Sequence, residues 1–256
     1  MVADAMKGSS RNGGIFARAQ SRATLSLLGA FELTCDGEPV SLPVPAQRVL
    51  AFLALRDRPV QRTYVAETLW LDSTAGRACG SLRSALWRLR RPGHELVDVR
   101  AGGLQLAPEV VVDVGVMVAW ARSVLDAPEG VASVLAGASA VDDAVSGDLL
   151  PDWYDDWLVV ERERLRELRV RALERLCERL TAVGSFTQAI EAGLAAVSAE
   201  PLRESAHRSL IGVYLAEGNQ AEALHAYQAY RDLVREQLGL EPSARMDELV
   251  GGLRGR

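Results

Sequence analysis

Residues 74–91 read TAGRACGSLRSALWRLRR. At about 100° per residue, Ala78, Leu82, Ala85, Leu86 and Leu89 gather on one side of a helix, and Arg77, Gly80, Arg83, Ser84, Trp87, Arg88 and Arg91 spread over the other. Five arginines, at 77, 83, 88, 90 and 91, stand here without one acid. A helix that only packs on a core carries both signs on its wet face, so a one-sign face asks for a polyanion. Guanidinium groups offer paired donors to phosphate oxygens and guanine edges, and small residues such as Gly80 and Ser84 let a backbone come close. The competing reading is a solvated helix in an arginine-rich protein, whose only lysine is Lys7. The surrounding chain decides between them.

Upstream, Leu25–Thr34 (LSLLGAFELT) alternates like a strand around Leu27, Phe31 and Leu33. The turn Asp36-Gly37 and a short strand Val40–Leu42 complete a hairpin, closed by Pro43 and Pro45. A helix over Ala46–Arg56 presents Val49, Leu50, Phe52 and Leu53 as its apolar side, and Pro59-Val60 opens a brief extended piece. A second helix over Arg62–Leu71 turns Val65, Ala66, Leu69 and Trp70 inward. Asp72, Ser73 or Thr74 can cap the arginine helix, and Pro92-Gly93 stops it. Glu95–Arg100 and Leu104–Leu106 then flank Ala101-Gly102-Gly103, a hairpin signature. Two closely joined helices, the second cationic, followed by a hairpin make a helix-turn-helix with a wing. That context favours DNA as the partner of the arginine face. Trp87 lies on the exposed side, where it either stacks on a sugar or thymine methyl or packs against the wing or the next domain. Cys79, at the edge of the face, reads as a small filler.

The formal net charge of −5 conceals an asymmetry. Residues 1–23 carry +3, residues 24–108 carry +2 and residues 109–256 carry −10, which suggests a basic working end and an acidic partner end. Cys35, Cys79 and Cys177 are far apart, without a CxxC or a nearby histidine pair, so neither a disulfide framework nor a zinc site is expected. The N-terminal stretch lacks the continuous apolar core of a secretory signal, and no run approaches the length of a membrane span. A soluble cytoplasmic protein is expected, with a flexible arm over residues 1–23.

Beyond Pro108 the pattern changes. Val110–Val114 is a short apolar run, and the rest reads as helix: Gly115–Leu125, Gly130–Ala138, Val159–Val183, Thr187–Ala199, Arg203–Ala216, Gln220–Leu238 and Met246–Leu253. A 34-residue echo pairs Leu176 with Leu210, Leu180 with Tyr214, Gly184 with Gly218, Ala189 with Ala223 and Ala196 with Tyr230. This is the tetratricopeptide period, with glycine in the turn of each helical hairpin and alanine where two helices approach. Leu149–Trp157 is the densest aromatic patch. It reads first as a buried lid locking the helical part onto the N-terminal one, and second as an exposed partner surface. Glu161–Arg179 alternates in sign, as a solvated helix face does.

Leu82-Arg83-Ser84-Ala85-Leu86-Trp87-Arg88-Leu89-Arg90-Arg91, preceded by Ala66-Glu67-Thr68-Leu69-Trp70, resembles the Streptomyces antibiotic regulatory protein family, activators with an OmpR-type winged helix. Val111 to Asp113, Leu149–Trp157 and Leu238-Gly239-Leu240-Glu241-Pro242 resemble that family's tetratricopeptide-like bacterial transcriptional activation domain. The resemblance covers residues 24–253, with one departure: the family often has proline after the Leu-Trp of the second helix, where Leu71 stands here. It implies a mainly α chain: a flexible arm (1–23), a winged helix-turn-helix with a small antiparallel sheet (24–108), and an all-α activation domain (109–256). It also implies binding to tandem promoter repeats of secondary-metabolite gene clusters, spaced about one helical turn, and recruitment of RNA polymerase. No upstream receiver domain and no Gly-rich phosphate loop are expected.

The residues expected to meet DNA are Arg77, Arg83, Ser84, Trp87, Arg88, Arg90, Arg91 and Arg100. Arg83 and Arg88, then Arg77, are expected on base edges or groove-lining phosphates, and Arg90, Arg91 and Arg100, near the wing tip, on backbone charge. Expected partners are double-stranded promoter DNA, polymerase subunits or a sigma factor, and a second copy on DNA, with no cofactor, metal or membrane. The alternative is a protein–protein adaptor that works through its acidic helical half. Catalysis is not expected, because His94, His207 and His225 are scattered without a metal or nucleophile partner.

Overall fold

The computed structural model describes residues 23–100, 102–126 and 147–252. The expected arm, apart from Ala23, the helix expected at Gly130–Ala138, and Leu253 lie outside the described residues. β1 (Ala23–Ser26), β2 (Glu32–Cys35) and β3 (Glu38–Pro39) follow one another antiparallel. The single strand expected over Leu25–Thr34 is therefore two. Gly29, at φ 89°, turns the chain back so that Leu25 faces Leu33, a conformation that glycine adopts without a Cβ penalty.

Pro43 and Pro45 start α1 (Val44–Ala54), whose buried side carries Ala46, Val49, Leu50, Ala51, Phe52 and Leu53. β4 (Val60–Gln61) and α2 (Arg62–Leu69) follow. α3 (Ala75–Arg88) comes next, then the wing, β5 (Val97–Arg100) and β6 (Gly103–Leu106). The wing sheet has the order β4-β6-β5. β7 (Val110–Val112) lies parallel to β1, with Ala23 opposite Val110, and completes a sheet of order β3-β2-β1-β7. This is the one parallel pair among the described strands; every other pairing in the two sheets is antiparallel.

α4 (Asp113–Asp126) starts where β7 ends. The Asp113 carboxylate accepts from the backbone N–H of Leu27 at 2.8 Å, Leu28 at 3.0 Å and Val114 at 2.7 Å. It thereby satisfies donors that lie just past the end of β1 and ties the first long helix to the sheet.

The chain then forms helical hairpins: α5 (Asp156–Ala182), α6 (Phe186–Ala199), α7 (Glu204–Glu217), α8 (Gln220–Leu238) and α9 (Ala244–Gly251). The 34-residue echo has its physical basis here. Gly184 and Gly218, at φ 76° and 89°, end α5 and α7 in the left-handed region, while Ala189 and Ala223 are fully buried. α6 also crosses closely at Gly193, where a Cβ would come within 3.0 Å of Leu210.

One hydrophobic cluster runs from the sheets through α1–α4 into α5, α6 and α7. Trp153 stacks on Phe31 with centroids 5.9 Å apart, and Trp157 meets Phe52 edge-on at 5.2 Å. Arg48 pairs with Asp155 and Arg56 with Glu161 across the same seam. The Leu150 N–H donates to Leu27 O at 2.9 Å. The buried-lid reading of Leu149–Trp157 thus holds for Leu149, Leu150 and both tryptophans, but Tyr154 is 93% exposed. The solvated face expected over Glu161–Arg179 needs correction as well. Arg162 is half-buried and donates to the carbonyls of Leu149, Leu150 and Trp153. Arg203 reaches back from the loop before α7 to Glu167 and Glu174. Sign alternation does not distinguish charges facing water from charges that hold another segment.

His207 is buried against Tyr230 at 4.4 Å, and its Nε2–H donates to Pro201 O at 2.8 Å. Burial pushes its pKa below the ordinary 6.5. Below pH 6.5 the unfolded chain takes up a proton that the native imidazole refuses, so stability falls as pH drops through that value. Urea midpoints at pH 7.5 and 5.5 are expected to show this fall in the native chain and a smaller one in His207→Gln. At neutral pH, Trp157→Ala is expected to lower urea-measured stability by about 2–3 kcal/mol, through lost burial and an unfilled seam.

Candidate nucleic-acid interface

The orientation of α3 follows from its underside. Ala78, Leu82, Ala85 and Leu89 are buried, with Leu86 half-buried, and the helix packs on α1 and α2. The helix can turn only its other side to solvent, and that side carries Arg77, Arg83, Ser84, Trp87 and Arg88, all exposed. The Ser84 hydroxyl donates to Gly80 O at 3.2 Å along the helix.

Arg90 and Arg91 stand elsewhere than expected. The arginine run reads as one helix to Arg91, but α3 ends at Arg88 with Leu89 as its C-cap, and Pro92-Gly93 turns the chain toward the wing. The two cations project from that turn, where Arg91 donates to Ser41 O at 3.3 Å and is held against the segment before α1. Arg100 is the last residue of β5, exposed at the wing, with Asp98 at 2.5 Å. The Asp98 carboxylate stabilises the charged guanidinium and raises its pKa, and a phosphate approaching Arg100 has to compete with it.

Arg77, Arg83, Arg88 and Arg90 make no ion pair among the described residues, unlike the arginines of α5. A like-charged face of this kind is repulsive by itself and becomes favourable beside a polyanion. Trp87 is 63% exposed and carries the Arg88 guanidinium 5.3 Å from its ring centre. It makes no ring–ring contact among the described residues, and it lines a shallow surface cleft with Ser41, Leu42 and Pro43. Arg62, which sequence reasoning missed, is exposed at the start of α2 and lines a cleft of about 1000 Å³ with Arg90, Arg91 and His94. It lies outside the arginine run, and only the fold brings it there.

The fold is that of a winged helix-turn-helix joined to a helical domain, mainly α with small sheets at its N-terminal end. The profile of the bacterial transcriptional activator domain matches residues 118–254, and the chain belongs to that family. The expected kinship with the Streptomyces antibiotic regulatory proteins is borne out by its relatives. Regulatory protein AfsR of Streptomyces coelicolor is 28% identical over 234 residues, covering 87% of this chain and 23% of AfsR. Transcriptional regulatory protein EmbR of Mycobacterium tuberculosis is 30% identical over 251 residues, covering 88% of this chain and 62% of EmbR. The structure of Mycobacterium tuberculosis EmbR in complex with a low-affinity phosphopeptide superposes with a TM-score of 0.72 at 26% identity, over 90% of this chain and 64% of that one. The chain thus spans about a quarter of AfsR and under two thirds of EmbR.

Among the described residues no group of histidine, cysteine or acidic side chains gathers as a metal site, and no helix is long and apolar enough to cross a membrane. The exposure of the arginine face is open to direct test. Phenylglyoxal followed by peptide mapping is expected to modify Arg77, Arg83, Arg88 and Arg90 well ahead of Arg162, whose guanidinium is held by three carbonyls.

Proposed function

We propose that this chain is a sequence-specific DNA-binding transcriptional activator. α3 enters the major groove and the wing follows the adjacent minor groove. One observation carries the reading: the guanidinium groups of Arg77, Arg83 and Arg88 are held out by the buried underside of α3, that of Arg90 projects from the turn after it, and none has a carboxylate of its own among the described residues. Arg83 and Arg88, with Arg77 behind them, read base edges. Arg90, Arg91 and Arg100 neutralise phosphates, Trp87 packs on a sugar or thymine methyl, and Ser84 allows close approach.

In this reading residues 24–108 hold the DNA and residues 109–256 meet the transcription machinery, RNA polymerase or a sigma factor. The chain acts without catalysis or cofactor, in the cytoplasm, on tandem repeats that seat two copies at promoters of secondary-metabolite genes. The names of AfsR and EmbR as regulatory proteins support the regulatory part.

Footprinting on promoters neighbouring its own gene is expected to give protected direct repeats. In titrations on such a site, Arg83→Ala and Arg88→Ala are each expected to cost about 1–3 kcal/mol, roughly 5- to 150-fold in Kd, and to relax preference at one base position. Arg90→Ala is expected to weaken all sequences alike and to flatten the dependence of log K on log salt by about one phosphate contact. If both α3 variants bind as the native chain does, the DNA reading falls and the adaptor reading takes its place.

A further inference from the structure

The segment that closes the seam has an outer side with no partner among the described residues. In α5, Trp157, Leu158, Glu161, Arg162 and Leu165 turn inward. The first two turns present Asp156, Val159, Val160 and Glu163 within an arc of about 100° on the opposite side. Val159 is 62% exposed, Val160 71% and the preceding Tyr154 93%. Further along, the outer side of the same helix carries paired arginines and glutamates. Two adjacent valines on a wet helix face cost helix propensity and gain no burial, so a cluster of them with an exposed tyrosine marks a surface that another molecule covers.

The polar surroundings indicate what that molecule is. Asp152 and Asp156 are exposed without an ion partner among the described residues, while the charge of Glu163 is met by Arg166. A helix N-terminus accounts for Asp156 through the backbone dipole, but not for the apolar side chains beside it. Symmetric pairing of two copies through this patch would set Asp152 and Asp156 against their own like charges, which disfavours a self-dimer.

We infer that Tyr154, Val159 and Val160, rimmed by Asp152 and Asp156, form the docking surface for a basic segment of a protein partner that seats an apolar side chain between lysines or arginines. The inference rests on the activator reading and gives the helical half its point of contact with the transcription machinery. The surface lies at the seam, so a partner seated there is positioned by the same elements that orient α3.

The test uses the full chain in three forms: native, Val159→Ser/Val160→Ser, and Asp152→Asn/Asp156→Asn. All the substituted side chains are exposed, so each form is expected to melt and to bind the footprinted promoter as the native chain does. In transcription from that promoter with purified RNA polymerase holoenzyme, both double variants are expected to lose at least tenfold of the activation. A photoreactive benzoylphenylalanine in place of Tyr154 is expected to cross-link to a holoenzyme peptide rich in lysine and arginine. Unchanged activation by the variants overturns the inference. So does a cross-link confined to a second copy of this chain or to an acidic or neutral segment. A native chain that binds the promoter but activates nothing overturns the activator reading and this inference with it, whereas failure to bind DNA at all is seen earlier and separately in the titrations.

Discussion

The contact between Phe52 and Trp157 organises the molecule. Phe52 belongs to the buried side of α1, meets the Trp157 ring of α5 in a T-shaped contact, and lies 4.5 Å beneath the Arg56 guanidinium, which itself reaches Glu161 on α5. α1 is thus gripped from the helical half on one side while α3 packs on it from the other. An edge-to-face aromatic pair contributes about 0.5–1.5 kcal/mol beyond its buried area. Its larger effect is geometric: it fixes α1, and α1 with α2 fixes which side of α3 is left for water. The charge of the arginine face is written in its own residues, but its direction is set by the packing beneath it.

Electrostatics divides the chain in the same way. In the helical half, several arginines are matched by acids: Arg166 with Glu163 and Glu200, Arg171 and Arg203 with Glu167, Arg203 also with Glu174, and Arg235 with Glu241. The Arg203 guanidinium holds the Glu167 carboxyl below the usual carboxylate range. Exposed pairs of this kind add little stability individually, about 0–1 kcal/mol, but they leave the helical surface without a large positive field. Arg77, Arg83 and Arg88 on α3 and Arg90 in the turn after it have no such acid among the described residues, so a polyanion meets an attractive surface there.

Much of this was legible in the sequence wherever the signal was local and periodic. Alternating small and apolar residues set the buried side of α3, and the paired glycines and alanines marked the helical hairpins. What escaped depended on residues far apart in the chain. The parallel partner of β1 is Val110–Val112, and the acceptor for the Leu27 and Leu28 amides is Asp113; no local pattern announces either. The run Leu86 to Arg91 looks helical throughout because arginine is a good helix former, yet Pro92 and Gly93 end the helix three residues early. In Leu149–Trp157, composition alone could not separate the inward tryptophans from the outward tyrosine.

A shared core and a seam of rings and ion pairs imply that the two halves unfold together. Scanning calorimetry of the full chain is the most direct measurement of this. A single transition, with a ratio of calorimetric to van't Hoff enthalpy of about one, is the result expected of one cooperative body. Two resolved transitions, one surviving the loss of the other, would mean that the seam does not couple the halves and that the direction of the arginine face is set without it.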